Sequence, residues 1–352
     1  MLIGRRRIVG SPFPPGLGAA VLLLAGATWA TADGIDIVNE QKLNHGEGVQ
    51  CIAFSHDGKL LASASPKMVR LWDVSGKEPK EVAKVTGLKL GLGGARSLAF
   101  FPDDKLVAMG GGDNVLHVYA AEGDKLVERM HLKDQNGAVQ SLAFAPDGKT
   151  LAAGSDDMTV LFYDLTGASP KERVRYKVEK AGGGVKALFD APDGRSLVLG
   201  TGNGTLELLD LSGDKPRPVG KPAKVRGGFI LPSALSPDGK LLAVDERGAR
   251  NFKMFAVTAD GLKPAPAPRE ESKDLGALAW SPDGRLLAAA EKGGRVLLFD
   301  ADGKLLLDKQ RSGNFQSAAF APGAAGKDGP WTLAVGDWSG TTVYMYRLGK
   351  DK

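Results

Sequence analysis

The sequence has almost no cysteine, since Cys51 is the only one among 352 residues. A single thiol excludes an internal disulfide and any zinc site made of several cysteines. The four histidines, His45, His56, His117 and His131, do not have metal-ligand spacing either. We therefore expect no cofactor, stability that comes from an apolar core, and a buried, inert thiol at Cys51.

Long hydrophobic runs are also missing. The apolar run at residues 17–27 is much shorter than the roughly 20 residues that a membrane-spanning helix needs. It follows the basic stretch RRR at residues 5–7 and precedes the small residues ATA at 30–32, which is the pattern of a secretory signal peptide. We predict that residues 1–32 are cleaved and that the mature protein is secreted or periplasmic, without stable membrane insertion. Retention of the segment as an anchor is the alternative, and RRRIV leaves the twin-arginine export route open.

The chain lacks a strong excess of charge of either sign. It has 46 Lys and Arg against 41 Asp and Glu, and residues 1–32 contain three of the arginines and no acid, so the mature chain has 43 against 41. This balance does not favour nucleic acid as a partner. We expect a monomer whose partners are proteins.

What the sequence does contain is a repeat of about 45 residues. Each copy has an apolar run, a turn motif such as APDG and a second apolar run rich in Ala and Gly, as in VQSLAFAPDGKTLAAGS from Val139. Pro, Asp and Gly each favour a tight turn, so every copy predicts a hairpin. The copies start near residues 49, 95, 139, 185, 230, 275 and 315. Their aligned bulky residues are Phe54, Phe100, Phe144, Phe189, Leu235, Trp280 and Phe320.

This period, with several short strands per copy, predicts an all-β fold, a seven-bladed β-propeller of four-stranded antiparallel blades over residues 33–348. Residues 349–352 are a short polar tail. The last segment of some copies contains evenly spaced prolines, which predict an outermost strand. Alternate residues of a strand point their N–H groups to the same edge, so every donor that proline removes can lie on the unpaired edge. A flexible linker is the competing interpretation. These prolines are Pro216, Pro218, Pro222, Pro264, Pro266 and Pro268.

The two ends of the chain complement each other. The last copy stops after its third strand, TTVYMYRL, and the mature chain begins with an extra strand, IDIVNEQKL, at residues 35–43. We predict that this N-terminal strand completes the last blade and closes the ring.

Residues 54–74, FSHDGKLLASASPKMVRLWDV, resemble the WD40-repeat family, with Trp72-Asp73 as the pair that names it. His45 lies where the family's Gly-His histidine would be. The resemblance extends over about residues 35–348 and implies structural roles for His45, Trp72 and Asp73, and for the turn residues Asp156 and Asp157. TolB-type propellers, which share the SPDG word, are the runner-up.

The family's His, Ser, Trp, Asp hydrogen-bond network is complete in no copy. The first copy has Pro66 and Lys67 in place of the turn Asp, and the third has no His or Trp. We therefore expect the blades to depend more on apolar packing than on this network.

The resemblance implies a non-catalytic interaction scaffold that holds a protein partner on the face made by the loops entering the first strands. On this face Trp338 is the candidate anchor, and an interblade packing role is its alternative. Basic candidates on the same face are Arg96, Lys180, Lys186, Arg226 and Arg311. An ordinary solvated surface is the simpler interpretation of these cations.

A propeller enzyme with a metal in its channel is the second hypothesis. The loops offer Glu47, Asp134, Glu179 and Asp274, but no convergent catalytic set is visible in the sequence. The short motifs GKT at 148–150, GTGNGT at 200–205 and GDWSG at 336–340 fail the spacing of phosphate, dinucleotide and nucleophile sites, and we interpret each as a turn.

Overall fold

Each copy of the repeat forms antiparallel strands in a computed structural model of the chain. The structure describes residues 35–167, 169–179, 182–226, 232–246, 248, 251–268, 270–323 and 330–350. The predicted signal peptide and its cleavage position lie outside these residues, as does position 230, the predicted start of the fifth copy. No described segment is a helix long and apolar enough to cross a bilayer.

The strands group into units that follow the repeat. Strand β1 is Ile35–Asn44. Unit 1 contains β2 (Cys51–Phe54), β3 (Leu60–Ala64), β4 (Met68–Asp73) and β5 (Lys80–Thr86). Unit 2 contains β6 (Ala95–Phe100), β7 (Leu106–Gly111), β8 (Leu116–Glu122) and β9 (Lys125–Leu132). Unit 3 contains β10 (Val139–Phe144), β11 (Thr150–Ser155), β12 (Thr159–Asp164) and β13 (Lys171–Lys177).

The remaining units follow in the same order. Unit 4 contains β14 (Val185–Asp190), β15 (Ser196–Thr201), β16 (Thr205–Asp210) and β17 (Arg217–Lys224). Unit 5 contains β18 (Ser233–Leu235), β19 (Leu241–Val244), β20 (Lys253–Thr258) and β21 (Gly261–Ala265). Unit 6 contains β22 (Leu275–Trp280), β23 (Leu286–Glu291), β24 (Arg295–Asp300) and β25 (Leu305–Gln310). Unit 7 contains β26 (Phe315–Phe320), β27 (Trp331–Asp337) and β28 (Thr342–Lys350).

The sheet order places the first strand of every unit innermost. Each unit is an antiparallel meander, and units 1 and 2 merge into one eight-stranded sheet through a single parallel pair, Lys84 with Lys125. The first strands neighbour one another in chain order, and β26 neighbours β2, so they enclose a central channel. This all-β arrangement is that of a β-propeller.

The turn glycines are required for two reasons. Gly148 has φ +69° and donates its N–H to the carbonyl of Ala145 at 2.8 Å, so GKT belongs to a hairpin turn. A Cβ at Gly148 would also lie 2.9 Å from Cβ of Pro102, in the corresponding turn of unit 2. These turns therefore pack from unit to unit at one end of the ring.

Small residues in the second strands let neighbouring units approach. A Cβ at Gly154 in β11 would lie 2.6 Å from Oγ of Ser141 and 2.7 Å from Cγ1 of Val185 in unit 4. The buried apolar clusters lie between adjacent units, as where Phe162 of unit 3 packs with Leu199 of unit 4. The core is therefore a series of sheet-to-sheet interfaces.

Three of the six prolines lie in outer strands, as predicted, while Pro216, Pro266 and Pro268 lie outside the strands. Pro218 and Pro222 lie in β17, and Pro264 lies in β21, each the last strand of its sheet. A missing N–H at such an edge breaks no ladder bond within the sheet.

The N-terminal strand completes unit 7, as predicted. Strand β1 pairs antiparallel with β28 from Ile35 opposite Lys350 to Asn44 opposite Thr342, and it is the outer strand of that sheet. Because β28 extends to Lys350, the predicted polar tail begins two residues too early.

The alignment of the fourth copy was wrong by one residue. Asp190 pairs with Leu197 as Phe144 pairs with Leu151, so Asp190 and not Phe189 occupies the position of the bulky residues. The hydrophobic pattern favoured the phenylalanine, but the pairing register is set by the turn.

Candidate partner-binding face

The turns between second and third strands lie beside the loops that enter the first strands. Together they form one end of the ring, which we call the loop face. One backbone bond recurs there, in which the residue after the second strand donates its N–H to the carbonyl just before the first strand. It joins Asp156 to Ala138 at 3.0 Å, Lys292 to Asp274 at 2.9 Å and Trp338 to Asn314 at 2.8 Å.

Asp337 fixes the turn of unit 7. Its buried carboxylate accepts bonds from the N–H groups of Asn314 at 2.8 Å, Ser339 at 3.0 Å and Gly340 at 3.1 Å. The Ser339 hydroxyl also donates to this carboxylate, at 3.0 Å. The GDWSG segment is thus a tied hairpin turn, with its serine engaged in the turn itself.

Two large apolar side chains are exposed on the loop face. Trp338, in the fixed turn of unit 7, is 45% exposed, and Leu92, in the loop entering unit 2, is 92% exposed. The entering loop of unit 1 joins them, because a Cβ at Gly48 would lie 2.0 Å from the Trp338 carbonyl oxygen. Two residues further on, Gln50 donates through Nε2 to the carbonyl of Gly93 at 2.7 Å. Trp338 and Leu92 therefore flank unit 1 on the same face.

Leu92 was missed by the sequence reasoning. It is an apolar residue inside the glycine-rich stretch GLGG at residues 91–94, ahead of the second copy. A large side chain in such a loop has little to pack against, so the stretch itself could have predicted that Leu92 is exposed.

Arg96 lies beside Leu92. The sequence predicted that Arg96 is on a loop, but it lies in a strand. It is the second residue of β6, is exposed, and donates to the carbonyl of Leu92 at 3.3 Å. The β6–β7 register shifts between Ala95 and Ser97, which leaves Arg96 as a bulged residue. A bulge re-aims a side chain, and Arg96 lines the channel.

Lys186 and Arg311 differ from the prediction because each has an acidic partner. Lys186 is the second residue of β14, its side chain is only 12% exposed, and it forms an ion pair with Asp156. Arg311 contacts Glu40 of β1 at 2.9 Å and so links unit 6 to the closing strand. These two cations are held within the fold and are not free for a partner.

The other two basic candidates have different outcomes. Arg226 is exposed just after β17, and its backbone N–H donates to Glu246 at 3.1 Å. Lys180 lies outside the described residues.

The first unit contains most of the expected hydrogen-bond network. Trp72 donates through Nε1 to Oγ of Ser63 at 2.8 Å, and the same oxygen lies 2.9 Å from Nδ1 of His45. Nε2 of His45 is buried and no described residue bonds to it. Burial lowers the pKa of His45 to about 4, so its imidazole is neutral at physiological pH.

Two of the three aspartates assigned structural roles cap turns or loops, and the third, Asp156, binds side chains of two first strands. Asp73 accepts bonds from the N–H and hydroxyl of Ser75 at 2.9 and 2.6 Å. Asp157 accepts from the N–H groups of Asn136 and Thr159, each at 2.9 Å. Asp156 accepts from Gln140 at 2.7 Å in addition to its ion pair.

The mouth of the channel is a cavity of about 540 Å³. Its lining includes Gln50, Arg96, Gln140 and Gln316, which share the second position of their repeats. A polar residue in an otherwise apolar strand was the sequence signal for this position. Among the residues that the structure describes, no group of three or more His, Cys, Asp or Glu is placed to hold a metal ion.

The acidic loop residues serve different purposes. Glu47 accepts a bond from the Ser65 hydroxyl at 2.6 Å, and Asp134 accepts one from the Tyr163 hydroxyl at 3.2 Å. Asp274 lines the channel with φ +47°, and Glu179 is exposed after β13. The structure does not bring these four carboxylates together.

The fold and its loop face define a protein of the β-propeller class. Three segments match the family model described as WD domain, G-beta repeat: residues 39–73, 127–164 and 269–300. Each segment ends at the aspartate that closes a third strand, in units 1, 3 and 6. No curated protein matches the chain.

Proposed function

We propose that the protein is an exported, non-catalytic interaction scaffold of the WD40 type that binds a protein partner on its loop face. The observation that carries this proposal is the half-exposed Trp338 on a turn fixed by Asp337 and Asn314. A large aromatic side chain held in place loses little conformational freedom on binding, which is the character of an interface hot spot.

The surroundings of Trp338 support the same face. Leu92 supplies a second apolar contact across unit 1, and Arg96 supplies a cation next to it. Apolar anchors with a neighbouring arginine are typical of protein interfaces. The proposed partner is a protein with an apolar surface and an acidic group beside it.

The test compares three truncations in pull-downs from an envelope extract, with bound proteins quantified by mass spectrometry. Trp338→Ala and Leu92→Ala remove the two side chains on the loop face. Val38→Ala is the matched control, because Val38 is the third large apolar residue that is exposed, at 51%, and it lies on β1 away from this face.

We expect a partner that the wild type and Val38→Ala recover equally and that Trp338→Ala loses by at least tenfold, since a hot-spot truncation costs about 2 kcal/mol or more. Equal recovery by all variants would contradict the binding face. Export is tested separately, by the mass of the protein from the envelope fraction, which should begin at Asp33.

A further inference from the structure

The outer strand of unit 3 is rich in exposed cations. In β13, Lys171, Arg173, Arg175 and Lys177 alternate with Glu172, Val174 and Tyr176, and all four cations are exposed. Val174 and Tyr176 pack toward unit 4, so Arg175 and Lys177, which alternate with them, are on the opposite side of the strand. The register shift between Phe162 and Tyr163 leaves Arg173 as a bulged residue and puts Lys171 on the side of Val174.

The outer strand of unit 4 and the turn before it continue this charge. Lys215, Arg217, Lys221 and Lys224 are exposed there, with Asp214 as the only acid in residues 214–224. Segments 171–177 and 214–224 contain eight Lys and Arg against two Asp and Glu, a net charge of +6, while the whole chain has +5. The predicted mature chain has only +2, so the rest of it is net acidic and the positive charge is concentrated on these two outer strands and the turn between β16 and β17.

Six of these eight cations form no ion pair with an acid that the structure describes, although Asp164 lies opposite Lys171 and Asp210 opposite Arg217 in the sheets. Arg175 contacts Glu172 at 3.0 Å, and Lys224 donates to the Thr205 hydroxyl at 2.5 Å. No acid in the described part of the chain forms an ion pair with the other six. We call these six residues the basic edge: Lys171, Arg173, Lys177, Lys215, Arg217 and Lys221.

Other outer strands contain fewer unpaired cations: Lys80 of β5 and Lys125 of β9 form no ion pair with a described acid, but other cations there do. Lys84 of β5 contacts Glu81 at 2.9 Å. Lys309 of β25 contacts Asp36 of β1 at 3.4 Å. A concentration of unpaired cations is thus particular to the outer strands of units 3 and 4 among the strands that the structure describes.

We propose that the basic edge binds the anionic headgroups of a phospholipid bilayer and holds the protein at a membrane surface. Many exposed cations, spread over two adjacent outer strands without an enclosing pocket, complement a flat array of anions better than a single small anion. The attachment is peripheral and electrostatic. The loop face, at one end of the ring, is left open to a partner, so the inference does not depend on the proposed function.

The experiment is vesicle co-sedimentation of the full chain with phosphatidylglycerol–phosphatidylcholine vesicles and with phosphatidylcholine vesicles. The test variant carries Lys171→Gln, Arg173→Gln and Lys177→Gln. The matched control carries Lys59→Gln, Lys105→Gln and Lys240→Gln, which remove the same charge from exposed lysines in the hairpin turns of other units. Circular dichroism checks that both variants remain folded.

We expect wild type and control to bind the anionic vesicles at about 0.05 M salt and to be released at about 0.5 M, where screening is strong. The test variant should partition on the order of 100-fold more weakly, because each surface cation contributes about a factor of five. Equal partitioning of both variants would overturn the proposal. Equally strong binding to the phosphatidylcholine vesicles would also overturn it, because it would point to the apolar N-terminal segment. Retention on heparin without vesicle binding would overturn it too, because it would point to a linear polyanion as the ligand.

Discussion

A carboxyl group occupies a position that other units fill with a large apolar side chain. Asp190 ends β14 where Phe144 ends β10 and Trp280 ends β22. Burial, with the charges of Asp147 and Asp193 nearby, raises the pKa of Asp190 to about 7. The folded protein therefore holds a proton there over a pH range in which the unfolded chain has released it.

The sign of the resulting pH dependence follows from this difference. The unfolded Asp ionises near pH 4, so stability falls as pH rises from about 4 to about 7 and remains lower above that. We expect Asp190→Asn to remove this dependence and to be more stable than wild type at pH 8 by about 2 kcal/mol. Urea denaturation at pH 5 and pH 8 measures it. Asp124→Asn, an exposed turn residue, is the control, and equal stability of wild type and Asp190→Asn at pH 8 would contradict the prediction.

At the scale of the strands and turns, most of the fold could be predicted from the sequence. The turn words and the proline spacing act locally, and they indicated the hairpins and the outer strands β17 and β21. Which loop cations are free could not be predicted, because Lys186 is neutralised by Asp156, thirty residues away in another unit. The outcome for Leu92 is similar, since its exposure depends on how the loop entering unit 2 packs.

Within unit 1, Ser63 connects the loop before the first strand to strands β3 and β4. Its hydroxyl accepts from Trp72 and lies within hydrogen-bond distance of His45, all of it buried. Ser63→Ala leaves those two ring nitrogens without this partner, and we expect a loss of about 2 kcal/mol in the free energy of unfolding. Ser141→Ala, in which a buried hydroxyl without a described partner is removed, should change stability by less than about 0.5 kcal/mol. Chemical denaturation of both variants tests the difference, and equal losses would mean that the network contributes nothing beyond packing.

The whole molecule is closed by contacts between its two ends. Strand β1 pairs with β28, and Arg311 and Lys309 of unit 6 bind Glu40 and Asp36 of the same strand. With one cysteine in the chain, no disulfide reinforces this closure. We therefore expect the stability of the ring to depend on a strand that comes from the other end of the sequence.

Cys51 reports whether the ring opens as one body. It lies in β2, in the unit next to the closure, and burial raises its pKa to about 12, so the folded protein should react slowly with a thiol reagent. Leu43 of β1 is buried opposite Val343, and Leu43→Ala should cost about 3 kcal/mol. If opening of the ring exposes Cys51, labelling under native conditions should become on the order of 100-fold faster in Leu43→Ala and stay near the wild-type rate in Val38→Ala. A lower melting temperature in Leu43→Ala with an unchanged labelling rate would show that unit 1 opens independently of the closing strand.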